Sequence, residues 1–98
     1  MSTMIVGALR VELYLSDCQS LKDRRRVLRS LMDRMRNKFR CAVAELSQQP
    51  KWQYAEIGIS CVSNSESHAR DMLDNILRFI EGKLQADEAD LRDQETQQ

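Results

Sequence analysis

Residues 5–15 alternate: Ile5, Gly7, Leu9, Val11, Leu13 and Leu15 fall on one face of an extended strand, and Val6, Ala8, Arg10, Glu12 and Tyr14 on the other. The first face is apolar along its length and must be covered by a second layer, whereas the other carries charge and tolerates water. The chain has 98 residues with which to build that layer, 42% of them hydrophobic and 31% charged. Such a chain is expected to form one small soluble domain around one core, with no room for a deep cleft between domains.

The covering elements are legible downstream. Residues 16–20 carry turn chemistry, and Ser20 followed by Asp23 predicts a helix N-cap with a short-armed capping box. Leu21, Leu28, Leu31, Met32, Met35 and Phe39 then recur at helical spacing with Val27 on the flank, which predicts a helix to about Lys38 with one buried stripe. Residues 40–46 read as a short strand, and 48–51 break the chain. Residues 52–63 alternate again, with Ala55, Ile57, Ile59 and Cys61 opposite Tyr54, Glu56, Gly58 and Ser60, so the two strands should form a hairpin. Ser63, Asn64 and Ser65 offer three N-caps for a second helix traced by Ala69, Met72, Leu73, Ile76, Leu77 and Ile80, with Gly82 expected to end it as the C′ residue. Residues 84–98 are polar and acidic, a tail or at most a short edge strand. The order predicts an α+β, ferredoxin-like two-layer sandwich: one antiparallel sheet, two helices on one face, and a last strand that is weak or absent. Residues 1–83 would be the domain and 84–98 its acidic tail.

Fifteen Lys and Arg balance fifteen Asp and Glu, so net charge points to no class of partner. Its distribution does. Residues 20–40 hold nine basic side chains against Asp23 and Asp33, while residues 81–98 hold six acids against Lys83 and Arg92. On a helical wheel Lys22, Arg25, Arg26, Arg29 and Arg36 fall within about 100° of one another, with Asp33 inside the ribbon and Arg34 and Lys38 on the opposite flank. Several stand near the positive end of the helix dipole, where a cation costs up to about 0.3–1 kcal/mol, so helix stability is not the reason for them. Guanidinium groups in this arrangement suit phosphate oxygens, and the ribbon is the expected RNA or anion site. The plainer alternative is a solvated face on which Arg29 pairs with Asp33 and the acidic tail folds back.

Other residues point to no reaction. His68 reads as an exposed polar residue and Cys18 as a loop thiol, while Cys41 and Cys61 read as small core residues. The three cysteines form no C-x-x-C pair, which fits a reducing cytosol, and no structural metal or cofactor is expected. Neither a secretory leader nor a membrane span is expected from the sequence. A hydrolase of acylphosphatase size would need an Arg and an Asn in the phosphate-cradling loop, and residues 16–19 contain neither. Val6, Ala8, Tyr14 and Tyr54 on the open sheet face are the expected interface if the chain is instead an interaction module or homodimer.

Met4-Ile5-Val6-Gly7, Ser20-Leu21-Lys22 with Arg25-Arg26-Val27-Leu28, Ala44-Glu45, Trp52-Gln53 with Ala55 and Gly58, Val62-Ser63-Asn64, and Leu77-Arg78-Phe79-Ile80-Glu81 together resemble the YlxP-like family, a bacterial domain of unknown function. The resemblance implies a ferredoxin-like fold and a cytoplasmic protein often encoded beside translation-initiation and ribosome-maturation genes, with no catalytic residue to carry over. The loop at residues 47–51 lacks the acids often found there in the family, and the tail after Gly82 lacks its closing apolar strand. The combined expectation is a non-enzymatic accessory protein that contacts structured RNA, ribosomal RNA or a ribosomal subunit above all, with no small-molecule substrate.

Overall fold

Strand β1 (Ile5–Tyr14) runs through the middle of the sheet, and its alternation is the structural one: Leu9, Val11 and Leu13 are buried while Val6, Arg10 and Tyr14 are exposed. The computed structural model describes residues 2–16, 18–47, 53–84 and 94–97. Helix α1 (Leu21–Lys38) follows, then β2 (Ala42–Glu45), β3 (Tyr54–Ser63), α2 (Glu66–Leu84) and β4 (Gln94–Gln97). The sheet order is β2-β3-β1-β4 with every neighbouring pair antiparallel, which is the ferredoxin-like arrangement. The tail thus contributes the short edge strand that its composition left open, pairing Gln94 with Val11 and Gln97 with Ala8.

Both helices cover the face to which Leu9, Val11, Leu13, Ala55, Ile57 and Ile59 point, and Leu28, Leu31 and Met35 of α1 join Ala69, Leu73, Ile76 and Ile80 of α2 in one core. Each fully buried aliphatic side chain contributes about 1.5–3 kcal/mol, which is why a small domain depends on nearly all of them. Gly7 lets α2 approach the sheet: a Cβ there would lie 3.2 Å from both Cys61 Sγ and Leu73 Cδ1.

The caps follow the sequence. Ser20 Oγ accepts from Asp23 N at 3.1 Å, and Asp23 Oδ2 accepts from Gln19 N, one residue before the position a full-length Glu would reach. Of the three candidate caps for α2, Ser65 is the one used: its carbonyl accepts from Ala69 N and its hydroxyl from His68 N. Gly82 does not end α2, which continues to Leu84. A glycine stops a helix only where the backbone turns left-handed, and Gly82 does not. Its missing Cβ would meet nothing within 4 Å, so Gly82→Ala is expected to stabilise the domain by about 0.4–1 kcal/mol, read as a higher denaturant midpoint at unchanged slope.

Candidate functional site

Helix α1 buries Leu28, Leu31 and Met35 and turns its basic ribbon outward; Lys22, Arg25, Arg26, Arg29 and Arg36 are all exposed. Four of the five, Lys22, Arg25, Arg26 and Arg29, line one shallow depression of about 550 Å³ together with Ser30, Asp33, Arg34 and Asn37. Arg34, which the wheel set on the opposite flank, is therefore part of the same surface. Arg36 is not: it donates to Val43 O at 2.9 Å and to Asp33 Oδ1 at 3.2 Å, tying α1 to β2. Asp33 pairs with Arg36 rather than Arg29, because the i, i+3 partner sits on the side where β2 already holds the guanidinium. Arg26 is matched by Asp23 at 3.1 Å. Among the described residues Lys22, Arg25, Arg29 and Arg34 have no acidic partner. The folding back of the acidic tail onto this face concerns residues 85–93 above all, which lie outside the described residues.

Arg24, one of the nine basic side chains of residues 20–40, is not at the surface: its side chain is 2% exposed. Its Nε donates to Tyr54 O at 2.9 Å and its Nη2 pairs with Glu45, so one guanidinium joins α1, the end of β2 and the start of β3. The signal was present in the spacing, since Arg24 lies four residues before Leu28 and seven before Leu31, inside the apolar stripe.

On the outer sheet face the four interface candidates lie at two ends. Val6 stands opposite Val62, and Tyr14 opposite Tyr54, with the Arg10–Gly58 and Glu12–Glu56 pairs between them. At about 3.3 Å per residue, Val6 and Tyr14 are roughly 26 Å apart. Both tyrosine hydroxyls are engaged: Tyr54 donates to Glu12 Oε1 at 2.8 Å and Tyr14 to Gln53 Oε1 at 3.2 Å. The Glu12 bond holds the Tyr54 proton and raises its pKa above the ordinary phenol, with desolvation and the charges of Glu12 and Glu56 adding to it against Arg10. Ala8 borders an open trough of about 440 Å³ with Arg10, Ala44, Leu46, Gly58 and Ser60 among its lining. Leu46 leans over Gly58, where an added Cβ would stand 3.0 Å from its Cδ1.

The remaining candidates are structural. Cys18 is buried in the core rather than held in an open loop, so its cationic neighbours do not give it a reactive surface position. Burial pushes the Cys41 thiol up, Cys61 adds to this and Arg36 opposes it. His68 is exposed and its Nδ1 shares a hydrogen bond with Ser63 Oγ at 2.9 Å. Trp52 and the loop before it lie outside the described residues. Among the described residues no group of His, Cys, Asp and Glu could hold a metal ion, and no helix is long and apolar enough to cross a membrane.

Three comparisons bear on this geometry. Residues 6–93 match the family described as "Protein of unknown function (DUF503)". The chain is 34% identical over 77 residues to the "Uncharacterized protein YlxP" of Bacillus subtilis (strain 168), an alignment covering 79% of this chain and 84% of that protein. Among solved structures, a C-terminal segment of the alpha subunit of aIF2 from Pyrococcus abyssi superposes with a TM-score of 0.55 at 18% identity. That match covers 93% of this chain, which spans about half, 51%, of the longer one. The de novo designed protein Foldit4 superposes at 0.56 with 10% identity, covering 96% of this chain and 98% of the design. At these identities both structures speak to the fold alone.

Proposed function

We propose that this chain, which belongs to the DUF503 family of proteins of unknown function, is a non-enzymatic cytoplasmic accessory protein that contacts structured RNA, most naturally on the ribosome, through the solvent face of α1. One observation carries the reading: Lys22, Arg25, Arg29 and Arg34 converge on one depression without an acidic partner among the described residues. Surface cations kept only for solubility are ordinarily interspersed with acids. Here four share one depression with a single carboxylate, Asp33, which is paired with Arg36, and none of the four has an acidic partner among the described residues, a mutual repulsion that a polyanion relieves by displacing its counterions. Arg26 and Arg36 stand behind them in this reading, since Asp23 and Val43 O already hold part of each guanidinium. The test is co-sedimentation with ribosomal subunits, and fluorescence binding to a labelled RNA stem-loop, at about 50 and 200 mM salt. Binding that weakens steeply with salt supports the reading. Binding indifferent to salt, or polyglutamate captured as well as RNA, refutes it.

A second reading is favoured by a different observation. Val62 is 63% exposed beside Val6 at 43% and near Met4 at 71%, an apolar end to the outer sheet face suited to a second copy of the chain. Sedimentation equilibrium decides it: a dimer at roughly tens of micromolar supports this interface, and a strict monomer removes it.

A further inference from the structure

We infer that the RNA backbone crosses α1 rather than following it, and passes into the groove between α1 and α2, where Lys83 of α2 takes a further phosphate. The inference rests on the RNA reading above and adds a direction and a second helix to it. The groove is open, about 270 Å³, and is lined by Arg26, Val27, Ser30, Leu31, Arg34 and Lys83. Arg26, Ser30 and Arg34 also line the depression on the face of α1, so the two form one continuous surface with those three residues as its ridge.

The path along α1 runs out of unpaired cations, although the depression itself continues to Asn37. Beyond Arg29 it meets the exposed Asp33 carboxylate, and the next cation on that line, Arg36, is turned away toward Val43 O. Across the helix the groove is lined by Arg26, Arg34 and Lys83 and by no acid. Ser30, the shortest side chain on the ridge, leaves the helix surface accessible and offers a hydroxyl donor, while Arg34 and Lys83 have no acidic partner among the described residues. The Lys83 ammonium lies 5.6 Å from the centre of the Phe79 ring, and the Lys38 ammonium lies 5.1 Å from the same ring, so two cations gather at this end of the groove. Val27 and Leu31 give the groove an apolar floor. Such a floor accepts a ribose or base edge and strengthens the charge contacts at the rim by excluding water.

The experiment measures the affinity of a labelled RNA stem-loop against salt for Arg34→Ala, Lys83→Ala, Ser30→Leu and Arg78→Ala, alongside the Arg25→Glu/Arg29→Glu variant. Arg78 is exposed on α2 but does not line the groove, and it serves as the control. Arg34→Ala and Lys83→Ala should each lower the salt slope by about one, so that the loss of affinity between about 50 and 200 mM shrinks roughly three- to fourfold per contact. Ser30→Leu, which changes no charge, should weaken binding by obstructing the ridge, and Arg78→Ala should match the parent. If Arg25→Glu/Arg29→Glu weakens binding while Arg34→Ala, Lys83→Ala and Ser30→Leu do not, the crossing path is wrong and the α1 site stands. If Arg78→Ala acts as strongly as Lys83→Ala, the effect is general attraction and the groove is likewise overturned. If none of the variants changes binding, the RNA reading falls with the inference.

Discussion

Arg24→Ala is expected to destabilise the domain by about 3–5 kcal/mol, at least a fifth of the roughly 5–15 kcal/mol available to a chain of this size. The substitution removes a side chain that is 2% exposed, leaves Tyr54 O without its donor and strips Glu45 of its counter-charge. Glu45→Ala should also be costly, because it leaves the guanidinium buried with only the Tyr54 carbonyl to satisfy it. The charge itself is not what the fold needs. An Arg24→Met/Glu45→Ala pair, which refills the space and removes both charges, should recover much of the loss, as neutral replacements of buried ion pairs commonly do. Urea unfolding of the two single variants and the double variant closes a mutant cycle. A cost below about 1 kcal/mol for Arg24→Ala would mean that this corner of the fold is held by the strand ladder alone.

That corner also marks what a sequence can and cannot disclose. Alternation in β1 and β3 and the stripes of α1 and α2 were legible because each element buries one face, and periodicity reports a buried face directly. Arg24 was hidden by its type. A charged residue is scored as surface unless its phase is weighed above its charge, and its phase matched Leu28, Leu31 and Met35. Arg36 had the opposite fate: the wheel put it correctly on the solvent side, but only tertiary structure brings the Val43 carbonyl within 2.9 Å. The junction of the two depressions at Arg26, Ser30 and Arg34 was equally invisible, since a wheel shows angles within one helix and Lys83 arrives from another. Strand β4 pairs through its backbone with β1 and needs no apolar alternation of its own, which is why a polar, acidic segment left it undecided.

Arg25→Glu/Arg29→Glu is expected to abolish RNA binding while leaving the fold intact. Both side chains are exposed, and neither has an acidic partner among the described residues, so the change should move stability by no more than about 0.5 kcal/mol. Binding responds very differently. If Lys22, Arg25, Arg29 and Arg34 each neutralise one phosphate, log K should fall with log salt at a slope of about −3 to −4, near 100-fold weaker at about 200 than at 50 mM. Removing two of the four contacts would by itself halve that slope. Reversal goes further, because two carboxylates placed between Lys22 and Arg34 repel the phosphates that the remaining cations attract, and Asp33 already stands beside them. Binding should therefore drop below detection at the higher salt and by at least a hundredfold at the lower. The far-ultraviolet circular dichroism and unfolding midpoint of the same sample should match the parent, which separates a lost contact from a lost fold. Retained affinity in a folded variant would show that these guanidiniums face only water, and would move the search for a partner to the outer sheet face at Val6 and Val62.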